Sequence, residues 1–531
     1  MKHWKLKREN ILSCGIILLL MVYMGIFLYL NMAKYAQHVD SDIAAEALLA
    51  REIWTEKTLT PDNWIASTER YLFGMPVLAS LFYGMTGSMQ TAVGIACVLI
   101  GAAFSITFYW FARRLGLSRM ASIVSLLALC ALPINGLRND GQMVPFVMLL
   151  LFVFADYYAL HSILFFLCII FYLNLKEKRT VSPLYGGYWF FLFGATTVLA
   201  CGGQRCLQMV VLPLAAVEMI SLFLDSKRFT VKPPRGRLWA AGFVSTLLMA
   251  YLISTFYKGQ ADYVVYLLTS QEALHRLFET VPAAILEGFG VAGKARVGTV
   301  ESVMQILVWA FLALVGYGLI LICRDKGKIS RRLKSGLVLL LASLGITAFI
   351  VVMTSAEAAH NYFLVSWFVA VLVAGILVDY FQREKSAFGT IIVLAVCFFA
   401  LLNLGYTYKD AVMTQDNLKE YEEVADLLIE EGIEYGYAEF WDAERISLIR
   451  DGAVTMGHCY QIEDPKMYWW LTSTKWYPPN LPEQMRTAYV VKTVKKDAFE
   501  ARFAEVQDME LAFENGAFAV YISDTNYIVM Q

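Results

Sequence analysis

The sequence predicts an α-helical polytopic membrane protein with a small C-terminal α/β domain. Of its 531 residues, 58% are hydrophobic and 17% are charged, whereas soluble proteins carry about 45–50% apolar and about 25% charged residues. The apolar excess forms runs long enough to cross a bilayer, which takes about 20 residues per helix. The charge balance also changes sign along the chain: residues 1–408 hold 33 Lys and Arg against 22 Asp and Glu, and residues 409–531 hold 11 against 23.

Long apolar runs divide the membrane block, residues 1–408, into about 11 predicted spans. One more apolar segment, Val144–Ala155, is predicted to be re-entrant or interfacial, or else half of a further pair of spans, which gives about 11–13 helices in all. The predicted spans are Ile11–Leu30, Met89–Ala112, Met120–Ile134, Leu160–Leu175, Tyr188–Cys201, Leu207–Leu224, Leu238–Tyr257, Ser302–Cys323, Ser335–Thr354, Tyr362–Phe381 and Ala387–Tyr406.

The distribution of Lys and Arg predicts a cytoplasmic N-terminus, because loops rich in these residues stay inside. With that orientation the inner segments hold 23 of the 33 basic residues of the membrane block. With this orientation the C-terminal domain is outside. Most outer connections between the predicted spans are short, and short loops favour a bacterial plasma membrane. Two outer loops are long, 31–71 and 258–301, and long loops in a compact fold tend to carry function.

The C-terminal residues 409–531 are predicted to form a separate small domain, because helical and strand patterns alternate there. Between the strands lies an aromatic segment, residues 467–482, whose rings can stack on an acceptor sugar or seal the domain against the membrane block. The predicted helices are Leu418–Glu431, Ala443–Arg450 and Lys496–Val506, and the predicted strands are Tyr435–Phe440, Val454–Tyr460, Ala488–Val494 and Ala517–Ile522.

Two other classes of protein are excluded by composition. The net charge of −1 comes with no basic patch, so nucleic acid is not expected as a partner. A disulfide scaffold is also not expected, because eight of the nine cysteines lie in or beside apolar runs or at their ends.

Three carboxylates stand at the start of the first outer loop. Asp40 and Asp42 point the same way in an extended chain, and Asp42 and Glu46 share a face of the amphipathic helix predicted over Ile43–Trp54, which would lie at the membrane interface. Such a group can act as a general base or bind a divalent cation, and Glu46 is also a candidate substrate contact. The alternative is structural, because an Asp before a helix is a common N-cap and Asp42 could have that role alone.

The order of these features resembles the GT-C superfamily of polyprenyl-phosphate-sugar-dependent glycosyltransferases. The shared features are a first span, an outer loop with the motif Asp40-Ser41-Asp42, many further spans and an outer C-terminal domain. Within this superfamily the sequence most resembles the protein O-mannosyltransferases, the bacterial aminoarabinose transferases and the oligosaccharyltransferases. The resemblance implies that Asp40 or Asp42 is the catalytic base or a metal ligand, with Mg²⁺ or Mn²⁺ as the metal.

The resemblance also implies partners and a reaction. An isoprenoid-linked donor stays in the bilayer, since each buried CH₂ is worth about 0.8 kcal/mol, so the partners are membrane lipid, a polyprenyl-phosphate-linked sugar and an outer acceptor glycan, lipid or protein. Transfer of a hexosyl or pentosyl group needs a base for the acceptor hydroxyl and positive charge for the departing phosphate.

Four residues at other predicted outer span ends are candidates for that charge or for a metal. Arg205, in CGGQRC, suits a bidentate phosphate contact; an interfacial anchor is the alternative. Arg138 is a candidate substrate contact, and Asp140 could complete a metal site or serve as a turn residue. His360 is a candidate donor or phosphate contact, with a packing role as the alternative.

Two other functions fit the composition. A transporter or flippase of a lipid-linked glycan would also need many spans, but transporters usually place ionisable residues within the membrane, and here the acids gather in the outer loops. A non-catalytic scaffold of the cell envelope is the third possibility.

Overall fold

The structure is a computed structural model, and it describes residues 2–67, 72–131, 151–153, 158–177, 183–226, 248, 265–291, 296–325, 327–384, 387–405, 418–506 and 508–529. Its fold is mostly helical, with a sheet near the C-terminus. The chain forms two compact units, the first from Met1–Leu28, Ile100–Ile253 and Val264–Met413 and the second from Tyr29–Leu99, Ser254–Tyr263 and Thr414–Gln531.

Every predicted span that falls on described residues is helical, which confirms a polytopic helical protein. Five of these helices are long and apolar enough to cross a membrane, and six shorter apolar helices accompany them. The predicted span Leu238–Tyr257, except Leu248, and most of Val144–Ala155 lie outside the described residues. The helices are Lys2–Ala33, Met89–Leu115, Arg119–Cys130, Ala159–Glu177, Pro183–Gly202, Gln204–Cys206, Leu207–Val211, Leu212–Ser226, Ser270–His275, Arg276–Thr280, Val281–Gly288, Val300–Arg324, Arg331–Met353, His360–Phe363, Leu364–Arg383 and Ala387–Asn403.

The helix Leu364–Arg383 forms the centre of the first unit. All its residues from Leu364 to Asp379 are buried, and Phe368 joins a cluster of aromatic rings from neighbouring helices, with Phe104, Phe108 and Phe166 at centroid distances of 6.0, 6.2 and 4.9 Å. A helix that is apolar on every side is expected at the centre of a bundle rather than at its surface.

The second unit joins the first outer loop to the C-terminal residues. The loop contributes the helix Ser41–Glu56, called the loop helix below, the short helix Tyr35–His38 and strand β1 (Trp64–Ile65), and the helix Met75–Thr86 follows the loop. The C-terminal part contributes three α-helices, Lys419–Glu430, Phe440–Ile449 and Lys496–Phe503. Its strands are β2 (Tyr435–Glu439), β3 (Thr455–Gln461), β4 (Asp464–Met467), β5 (Thr472–Ser473), β6 (Gln484–Lys492), β7 (Glu510–Glu514) and β8 (Phe518–Thr525).

Six of these strands form one mixed sheet in the order β4-β3-β2-β6-β8-β7. The central strand β2 runs parallel to both β3 and β6, and the remaining pairs are antiparallel. All the predicted helices and strands of the tail are present with shifted ends. Strands β4, β5 and β7 were not predicted, because β4 and β5 are very short and β7 is an exposed edge strand with a charge at each end. The boundary predicted at residue 408 falls on residues outside the described part of the chain.

The first outer loop and the C-terminal part are hydrogen-bonded to each other within this unit. Strand β1 pairs antiparallel with β5, and the Arg51 Nη1 atom donates to the Gly452 carbonyl at 3.3 Å. The Lys475 Nζ atom contacts the Glu56 carboxylate. The helix predicted over Ile43–Trp54 is therefore confirmed, and Glu46 and Glu52, which lie on its predicted polar side, are buried in this unit.

Asp451 caps a helix that begins in the same unit. Its Oδ1 atom accepts from Ser88 Oγ at 3.1 Å, Met89 N at 2.8 Å and Gln90 N at 3.3 Å, at the start of Met89–Leu115. Because a lost N-cap leaves backbone donors unpaired, Asp451→Ala is expected to lower the free energy of unfolding by about 1–2 kcal/mol.

The control for this change is Asp451→Asn, which keeps the accepting oxygen. Asn also tolerates the left-handed backbone of this position, where φ is 51°. Unfolding of the full chain in detergent micelles measures both variants, and equal losses of stability for Ala and Asn would contradict the capping role.

Candidate active site

Asp40 begins the loop helix. Its backbone is extended, and its Oδ1 atom accepts from the Ile43 backbone N–H at 3.0 Å. The N-cap role considered for Asp42 therefore belongs to Asp40, and Asp42 lies in the first turn instead. The sequence analysis considered the N-cap at Asp42 because it placed the start of the helix two residues too late, which is within the usual error at a helix end.

Asp42 is hydrogen-bonded to an indole of the C-terminal part. The Trp470 Nε1–H donates to Asp42 Oδ1 at 3.2 Å, and both side chains are half-buried. A donor aimed at a carboxylate fixes its orientation and stabilises its charged form. The two residues are 428 positions apart in the chain.

A fully buried pair of ionisable groups, Glu444 and His458, lies in the same unit. The side chains of both are 0% exposed, and Glu444 Oε1 contacts His458 Nδ1. The other ring nitrogen, Nε2, lies 3.1 Å from the Tyr468 carbonyl oxygen. Since a carbonyl only accepts, Nε2 carries a proton, and one further proton lies between Nδ1 and the carboxylate.

Burial raises the pKa of both Asp40 and Asp42. The pKa of Asp42 rises from its ordinary value to about 7, mainly because of burial and then because of the Asp40 charge, while the Trp470 hydrogen bond and the His458 charge work in the opposite direction. The pKa of Asp40 is also raised by burial, and its bond to Ile43 and the nearby Arg445 guanidinium offset part of that rise. A carboxyl group with a pKa near neutral pH is suited to accept a proton in catalysis.

The raised pKa of Asp42 makes folding stability depend on pH. An unfolded Asp titrates at about 3.9. Between that pH and a pH of about 7, the folded chain therefore binds more protons than the unfolded chain. The stability contribution of the neutral carboxyl is complete below the unfolded pKa and is lost as pH rises through the folded one.

Asp42→Asn removes the carboxylate charge that destabilises the folded chain once Asp42 is ionised, at a pH above about 7. We expect it to raise the thermal midpoint of the full chain by several degrees at pH 8 and by much less at pH 5. Thermal unfolding in detergent micelles measures both values, and a larger gain at pH 5 than at pH 8 would show that Asp42 is not an acid of raised pKa.

The other predicted site residues are distributed over the chain. Glu46 is fully buried in the loop helix. In the first unit, the Arg205 guanidinium lies 4.3 Å from the centroid of the Tyr158 ring, and His360 Nδ1 lies 4.0 Å from Glu287 Oε1.

The remaining two, Arg138 and Asp140, lie outside the described residues. In the described part of the chain, no group of three His, Cys, Asp or Glu side chains converges as metal ligands would. Asp40 and Asp42 also each direct an oxygen to a hydrogen-bond donor. The metal role of Asp40, Asp42 and Asp140, with Mg²⁺ or Mn²⁺ as the metal, therefore stays a prediction from the sequence.

Sequence reasoning missed Glu444, His458 and Arg445. No local pattern marks them, because a buried acid–histidine pair becomes visible only when the helix Phe440–Ile449 is packed against β3. Trp470 was included in the aromatic segment 467–482, but with roles in sugar stacking or sealing and not as a hydrogen-bond donor to Asp42.

No protein-family model matches the chain, and no curated protein matches it in sequence. Solved structures do match it. ArnT from Cupriavidus metallidurans bound to undecaprenyl phosphate is 12% identical, with a TM-score of 0.58 over 96% of this chain and 98% of that chain. This likeness over nearly the full length of both chains confirms the predicted GT-C-like fold.

Two archaeal structures also match, with lower scores. The Archaeoglobus fulgidus oligosaccharyltransferase in complex with Zn and sulfate is 12% identical, with a TM-score of 0.48 over 92% of this chain and 70% of that chain. AglB from the same organism, in complex with an inhibitory peptide and a dolichol-phosphate, is 10% identical, with a TM-score of 0.46 over 92% and 71%.

Proposed function

We propose that the protein is a membrane glycosyltransferase that moves a sugar from a polyprenyl-phosphate donor to an acceptor hydroxyl on the outer face of the membrane. The observation that carries this proposal is the position of Asp42 in the first turn of the loop helix, where the Trp470 indole holds its carboxylate and burial raises its pKa to about 7, in a fold similar to that of ArnT. The sugar is a hexose or a pentose, and the acceptor is a glycan, lipid or protein. The orientation is that predicted from the Lys and Arg distribution, in a bacterial plasma membrane.

The fold comparison supports the donor class. The ArnT structure binds undecaprenyl phosphate, which is the lipid that remains when a sugar leaves such a donor. The apolar helices of the first unit suit an isoprenoid tail, because a long chain gains about 0.8 kcal/mol for each CH₂ held in an apolar environment. Arg205, Arg138 and His360 remain the candidate contacts to the phosphate.

In the proposed reaction Asp42 is the general base and Asp40 holds the helix. The acceptor oxygen forms a bond to the anomeric carbon while the bond from that carbon to the phosphate oxygen breaks, and the electron pair of that bond leaves with the phosphate. The proton of the acceptor hydroxyl passes to Asp42. Asp40 is less suited to this step, because its carboxylate accepts the Ile43 amide and lies near the Arg445 guanidinium.

The test uses the purified full chain in lipid vesicles with radiolabelled undecaprenyl-phosphate pentose or hexose and a panel of glycan, lipid and peptide acceptors. Label that moves from the polyprenyl lipid to an acceptor, in wild type and not in Asp42→Asn, supports the proposal. Label that crosses the bilayer while still attached to the lipid would support a flippase instead. Label that does neither with every acceptor would overturn the proposal in favour of a non-catalytic role.

A further inference from the structure

We propose that the C-terminal domain positions the base: a chain of contacts runs from the buried Glu444–His458 pair through the Tyr468 carbonyl and Trp470 to the Asp42 carboxylate. The inference rests on the proposed function for its catalytic consequence, but its geometry is independent of that function. Trp470 and His458 are accordingly positioning residues, and neither takes part in the sugar transfer itself.

The chain of contacts has its centre at one carbonyl oxygen. The Tyr468 oxygen accepts from His458 Nε2 at 3.1 Å and from the Trp470 backbone N–H at 2.8 Å. The Trp470 side chain then donates to Asp42 at 3.2 Å. A shift of His458 therefore moves the turn that carries Trp470, and through it the donor to Asp42.

The end of this chain of contacts that is remote from Asp42, at His458, is held rigidly. The Tyr477 hydroxyl accepts from the His458 backbone N–H at 2.7 Å and donates to the His458 carbonyl at 2.8 Å. Glu444 fixes the ring from the other side, so that His458 is bound at its backbone and at both ring nitrogens. Because its ring nitrogens and its backbone groups are bound, His458 has little freedom to rearrange, whereas the second Glu444 oxygen, Oε2, is buried without a hydrogen-bond partner among the described residues.

The turn that carries Trp470 is equally constrained. Leu471 has a left-handed backbone with φ of 43°, which is costly for a residue with a bulky side chain and persists only where packing enforces it. That packing is visible, since Leu471 is buried in a cluster with Phe440 and with Ala45 of the loop helix. The turn is thus fixed against the helix that carries Asp42.

Asp42 is surrounded by a defined set of charged and polar groups. Asp40 and Glu444 act to raise its pKa, and the Trp470 indole and His458 act to lower it. Burial raises the pKa of Tyr468, and the Asp42 charge adds to that rise. Removal of the indole donor therefore shifts the titration of Asp42 to higher pH and frees its carboxylate to rotate.

The test is Trp470→Phe in the full chain, with Trp469→Phe as the matched control, because Trp469 is the adjacent half-buried indole. Two readouts are needed: the transfer rate against pH, and the difference in thermal midpoint between each variant and the same variant with Asp42→Asn against pH. The second readout gives the titration midpoint of Asp42 without any activity.

We expect Trp470→Phe to move that midpoint upward by about 1 pH unit, as loss of a charge-assisted hydrogen bond does. We also expect kcat to fall about 10-fold or more even at high pH, where Asp42 is ionised in every variant, because a displaced base is ineffective. KM should stay close to that of wild type. His458→Gln should shift the midpoint in the same direction.

If Trp470→Phe and Trp469→Phe have the same titration midpoint of Asp42 and the same kcat, the positioning role of Trp470 is overturned. If wild type transfers no sugar, the proposed function fails, and the thermal titration still decides whether Trp470 acts on Asp42. A variant that loses kcat without any shift of the midpoint would also count against the contact chain, since that loss would come from misfolding.

Discussion

Asp42→Asn is expected to lower kcat for sugar transfer by about 10²–10⁴-fold, the usual contribution of a general base. Asn is close in size to Asp and still accepts from the Trp470 indole, so the loop helix stays folded and only the ability to accept a proton is lost. Initial rates of label transfer under saturating donor and acceptor measure this effect. A rise in KM with kcat unchanged would instead indicate a residue that binds substrate.

Asp40→Asn is the matched control at the neighbouring acid. Asn is as good an N-cap as Asp, so the bond from Ile43 is kept, and loss of the Asp40 charge lowers the pKa of Asp42 slightly. Transfer at pH 8 should therefore stay within a few-fold of wild type. If Asp40→Asn is inactive and Asp42→Asn is active, the base is Asp40 and the assignment within the pair is wrong.

Glu444→Ala and His458→Ala are each expected to lower the free energy of unfolding by about 3–5 kcal/mol, because each change leaves a buried ionisable partner without its counterpart. The two changes together should cost less than the sum of the single changes, since the double variant has no buried charge left to compensate. Protease sensitivity of the full chain in detergent micelles reports the loss.

The control for this pair is Glu463→Ala, at a more exposed ion pair of the same domain. The Glu463 carboxylate lies 3.4 Å from Lys495 Nζ, and its side chain is 28% exposed. An exposed pair of this kind is worth about 0–1 kcal/mol. If the loss for Glu444→Ala is as small as that for Glu463→Ala, the buried pair does not support the domain.

The membrane helices could be predicted from the sequence because hydropathy and length depend on local residues alone. Ser302–Cys323 and Ser335–Thr354, for example, correspond to the helices Val300–Arg324 and Arg331–Met353 with small changes at their ends. The burial of Glu46 could not be predicted in this way. Its helical position gives a polar face to the isolated helix, and only packing against the rest of the unit removes that face from solvent.

The candidate site was only half visible for the same reason. Asp40 and Asp42 stand together in the sequence, whereas their partners Trp470, Glu444 and His458 lie about 400 residues later along the chain. Nothing in the spacing of those three residues marks them as neighbours of the loop. Their role depends on the pairing of β1 with β5 and on the contact of the C-terminal turn with the loop helix.

The central claim is that Asp42 is the proton acceptor, and the pH dependence of kcat/KM for wild-type transfer tests it most directly. For a base whose pKa is about 7 in the free enzyme, kcat/KM should rise tenfold per pH unit on the acid side and level off above neutral pH. The rise should be absent from the residual rate of Asp42→Asn. A flat profile between pH 5 and 8, or a rise that persists in Asp42→Asn, would contradict the account.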